Sequence, residues 1–66
     1  MNKINSQIYS HLDFASGDLA MVISRLRAAR QLSTNEDDKE ILTKAIHSAC
    51  QVEQTISIKA AQIKRG

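Results

Sequence analysis

The sequence has no proline and no tryptophan, and of its two glycines one is the last residue. Without proline, nothing in the covalent chain forces a helix to stop, and few glycines mean few weak points, so long helices are favoured over a loop-rich fold. Cys50 is the only cysteine, which excludes a disulfide within the chain. An unpaired thiol suits a reducing compartment, and Met1-Asn2-Lys3-Ile4-Asn5 lacks the apolar run of a secretory signal, so the expected setting is cytoplasmic. No apolar stretch approaches the ~20 residues of a membrane span. Tyr9 and Phe14 are the only aromatics, too few for a platform on which nucleic-acid bases stack. Charge of neither sign dominates: the net value is +2, with Lys and Arg interspersed among Asp and Glu. A basic stripe for nucleic acid is therefore missing.

What the chain does have is two apolar stripes at helical spacing. The first reads Ile8, Leu12, Ala15, Leu19, Val22, Leu26, Ala29; the second reads Leu42, Ala45, Ala49, Val52, Ile56, Ala60, Ile63. Side chains three and four apart share one face of a helix, so each stripe predicts a long amphipathic helix. Between them, Ser33 and Glu36 have the spacing of an N-terminal capping box. Acidic Glu36, Asp37, Asp38 and Glu40 gather at the start of the second helix. Basic Arg25, Arg27 and Arg30 lie near the end of the first helix, and Lys59, Lys64 and Arg65 near the end of the second, each group suiting the local end of the helix dipole. A connection this short folds the helices back antiparallel. The predicted fold is all-α, a two-helix hairpin forming one domain, 1–66, with a helix over about 5–32, a turn over about 33–35 and a helix over about 36–64. Leu19, Val22, Leu26, Leu42, Ala49, Val52 and Ile56 are its expected core. Ser16-Gly17 is the weak point: a break there would leave residues 4–14 as a separate short helix, although the unbroken stripe favours one.

Two helices cannot enclose a core, and 66 residues lie near the lower limit of chains that fold unaided. The hairpin is thus expected to be completed by a partner or by dimerisation. Opposite the first stripe runs a second, narrower apolar line, Phe14, Met21, Ala28 and Leu32. With Ile23 and Ile46 at its flanks it is the predicted partner interface. Self-association into a four-helix bundle and docking of a different protein both account for this surplus.

No catalytic, cofactor or metal site is expected. His11 and His47 fall far apart in the hairpin register, Cys50 with His47 lacks a third ligand, and there is no glycine-rich phosphate loop. Glu53 near the second stripe is read as a satisfied edge residue or a specificity contact.

The run Asp18-Leu19-Ala20-Met21-Val22-Ile23-Ser24-Arg25-Leu26-Arg27-Ala28-Ala29-Arg30, followed by Ala45-Ile46-His47-Ser48-Ala49 and Val52-Glu53-Gln54-Thr55-Ile56-Ser57-Ile58, resembles the small E-type co-chaperones of type III secretion needle subunits (the YscE, PscE, SsaE and EscE type). The resemblance covers roughly residues 18–60 and rests on the basic close of the first helix and the alanine- and isoleucine-rich second helix. It implies a cytoplasmic co-chaperone that pairs with a larger tetratricopeptide-like chaperone, the pair keeping the needle subunit soluble before export. The alternative expectation is a homodimeric four-helix-bundle regulator, binding RNA or protein, of phage or plasmid origin.

Overall fold

The computed structural model describes residues 2–65; residues 1 and 66, the ends of the predicted domain, lie outside the described residues. It is an antiparallel hairpin of two 30-residue helices, α1 (Lys3–Leu32) and α2 (Glu36–Arg65), with extents of 50 × 14 × 12 Å. The turn falls at Ser33-Thr34-Asn35, where the stripes end.

The two helix starts are capped by asparagine rather than serine. Asn2 Oδ1 accepts from the Asn5 N–H at 2.7 Å, so α1 starts two residues before the predicted boundary. Asn35 Oδ1 accepts from the Asp37 and Asp38 N–H groups at 2.8 and 3.2 Å, satisfying donors that the first turn of α2 leaves free. The expected Ser33–Glu36 capping box is not formed. Ser33 is the C-cap of α1: its N–H donates to the Ala29 and Arg30 carbonyls, and its hydroxyl donates to the Ala29 carbonyl at 2.8 Å. That hydroxyl is turned back toward α1, and the free N–H groups of α2 go to Asn35 instead.

The helix is continuous through Ser16-Gly17. Ser16 is not a cap; it faces α2, where its hydroxyl donates to Glu53 Oε1 at 2.9 Å. Ser57 donates to the same oxygen at 2.9 Å, so Glu53 is a satisfied edge residue on the inner side of α2.

The helices meet along a heptad seam whose spacing alternates between three and four. On α1 it runs Tyr9, Leu12, Ser16, Leu19, Ile23, Leu26, Arg30, and on α2 Lys39, Leu42, Ile46, Ala49, Glu53, Ile56, Ala60, Ile63, all half-buried or buried. This corrects the expected core at two places. Val22 and Val52 are 45% and 49% exposed; Ile23 and Ile46 take the inner positions instead. The leucines at 12, 19 and 26 are shared by both arrangements, but each helix is rotated so that the larger Ile23 and Ile46, rather than valine and alanine, fill the seam. Ile46, 4% exposed, is the only buried side chain among the described residues. Polar groups edge the same seam: Arg30 Nη1 donates to Thr43 Oγ1 at 3.2 Å, and Lys64 Nζ lies 5.8 Å from the centre of the Tyr9 ring.

Candidate interaction surfaces

Around the seam the hairpin has three surfaces of different character. On one flank, Asp13 and Ser57 line an open crevice of about 240 Å³ with Tyr9, Ser16 and Lys64. Further along the same flank, Arg27 and Arg30 face Lys39 and Thr43. Each of these residues lies in the seam or one heptad place beyond it; Leu12, Ile56 and the alanines at 60 and 61 complete the first crevice, with hydroxyls and charges set among them.

Because these positions from both helices meet on one side, the places on the other side of the seam must also meet. They are Ile8, Ala15, Val22 and Ala29 on α1, with Ala45 and Val52 on α2, Asp38 and Lys59 standing at the two ends of the α2 row. This second flank is apolar and open to solvent; Ile8, Val22 and Val52 are among the exposed large side chains. It includes the part of each sequence stripe that the seam leaves outside. The stripes contain the signal for this surface, but two of its residues, Val22 and Val52, are among those expected in the core.

The third surface is the outer ridge of α1, directly away from α2. Phe14 and Met21 are 72% and 57% exposed, Ala28 is exposed, and Leu32 at the end of the helix is 82% exposed. Four of the six predicted interface residues thus stand free. The other two do not: Ile46 is buried and Ile23 half-buried in the seam, so neither offers a partner much surface. Ridge residues seven apart form a line, whereas scattered exposed apolar side chains are ordinary.

Among the described residues no three of His, Cys, Asp and Glu come together in a way that holds a metal ion, and Cys50 is a free, half-buried thiol. No described helix is long and apolar enough to cross a membrane. No family model matches the chain, and neither a curated protein nor a solved structure does.

Proposed function

We propose that this hairpin is a non-enzymatic, cytoplasmic binding module that docks on a larger helical protein through the outer ridge of α1. Its most specific form is the co-chaperone role: pairing with a tetratricopeptide-like chaperone that keeps a type III secretion needle subunit soluble before export. The observation that carries the docking reading is the row Phe14, Met21, Ala28, which faces away from α2 and contributes nothing to the seam. Large apolar side chains ringed by polar ones are the usual anchors of interfaces, and Asp18, Ser24 and Arg25 supply that ring. The secretion role is supported by the residue resemblance over α1 and α2, and by a fold too thin to enclose a core.

The test is co-purification of the chain with a candidate helical-repeat partner. The double change Phe14→Asp with Met21→Asp should leave the helicity intact and abolish the complex. A complex that survives with undiminished affinity places the interface elsewhere.

A further inference from the structure

We infer that the apolar flank made by Ile8, Ala15, Val22 and Ala29 of α1 with Ala45 and Val52 of α2 is the interface with a second copy of this chain, stacked face to face with the two turns at opposite ends. The result is a twofold four-helix bundle whose outer α1 ridges remain free.

Area gives the first argument. A folded monomer of this mass ordinarily exposes about 4,200 Å². The hairpin exposes 5133 Å², roughly 900 Å² more. That surplus is close to the ~800 Å² each partner contributes to a standard interface. The flank itself spans roughly 30 Å by 20 Å, from the rise of an α-helix and the width of a helix pair.

The order of residues along the flank supplies the occupant and its orientation. A twofold axis across the helices runs α1 antiparallel to its symmetry mate, and α2 likewise. Centring α1 between Asp18 and Leu19 sets Ile8 against the mate's Ala29 and Ala15 against the mate's Val22. Centring α2 between Ser48 and Ala49 sets Ala45 against the mate's Val52 and Asp38 against the mate's Lys59. One axis must serve both helices, and the internal register allows it. Moved three residues along each helix, the Ser16–Glu53 contact levels Leu19 with Cys50, so the two centres differ by about two residues. An axis midway between them sets each row about two residues, roughly 3 Å, from direct opposition, less than one helical turn. Every large side chain then lies nearest an alanine of the mate, and each end of the α2 row brings Asp38 near the mate's Lys59. With the turns at the same end, Asp38 would instead face Ala29 and Lys59 would face Ile8. The self-complementary order selects the first arrangement.

Two measurements test this. The purified chain should sediment at twice its 7.3 kDa mass, and Val22→Glu with Val52→Glu should weaken the dimer at least a hundredfold. The second measurement leaves the apolar face untouched. Asp38→Lys alone, or Lys59→Asp alone, places like charges at both ends of the homodimer and should weaken it about tenfold at low salt. Mixing the two variants restores both opposite-charge pairs, so the mixed dimer should form in preference to either homodimer. A helical monomer at 100-micromolar concentration, or a mixture that pairs no better than its components, overturns the proposal. The Phe14 and Met21 ridge lies on neither helix's stacked face, so the result is independent of the docking test.

Discussion

The two flanks of the hairpin are built from equivalent heptad places on the same two helices, yet they differ in kind. One carries Asp13, Arg27, Thr43, Ser57 and Lys64 around Ala20 and Cys50, and three of these groups find partners along the seam: Ser57 on Glu53, Thr43 with Arg30, Lys64 over Tyr9. The other carries Ile8, Val22, Val52 and alanines between Asp38 and Lys59, and its three large side chains stay 42–49% exposed. The apolar stripe of each helix is therefore not centred on its neighbour but turned toward one side, and on both helices it is the same side. A hairpin designed to be complete would place that apolar surface symmetrically about its seam. This one pairs three groups of its polar flank internally and leaves the large side chains of its apolar flank exposed.

The sharpest way to break that contrast is at the seam between the flanks. Ile46→Ala truncates the most buried of the described side chains and should cost about 2–4 kcal/mol, seen as a large drop in the thermal midpoint followed by circular dichroism. Val52→Ala on the open flank should cost less than about 1 kcal/mol in the dissociated chain. Equal losses would mean that the seam and the flank have been exchanged. Next in size is the cap: Asn35→Ala removes the acceptor for two N–H groups and should destabilise by about 1 kcal/mol in denaturant titration. Were Ser33→Ala to cost more than Asn35→Ala, the capping assignment would be reversed. The smallest expected change has the opposite sign. A Cβ on Gly17 meets nothing within 4 Å, so Gly17→Ala should stabilise the hairpin by about 0.5–1 kcal/mol. A loss on that substitution would point to a close contact at Gly17 that the isolated hairpin does not have.

The hairpin, its turn and its arm lengths were legible because they depend only on where the stripes begin and end. The rotation of each helix was not. Leu12, Leu19 and Leu26 belong equally to a stripe continued by Val22 and to one continued by Ile23, and successive residues differ by about 100° around the axis. Periodicity alone favoured the first; side-chain size and the Ser16–Glu53 pair are met only when both helices are present. The same limit explains Glu53, which looked out of place in an apolar stripe and is satisfied by two serines, one of them on the other helix. It also explains Ile23 and Ile46, assigned to a surface that they help to bury. Phe14 and Met21 escaped the error because they sit opposite the seam, where a rotation of one residue does not bring a side chain inside. Ser33 and Asn35 are both good capping residues, and which closes α2 depends on the hydrogen bond Ser33 makes backward, invisible in a one-dimensional pattern.

Equal arms have a mechanical consequence. With 30 residues on each side of a three-residue turn, Lys3 and Arg65 come to the same pole of a rod 50 Å long. An opened chain with its helices end to end would separate the same two residues by roughly 90 Å. A donor and acceptor dye at these positions thus form a lever: any swing about Ser33-Thr34-Asn35 is magnified at the tips. The apolar surfaces stay unlabelled, and opening on capture by a partner becomes directly readable as loss of energy transfer.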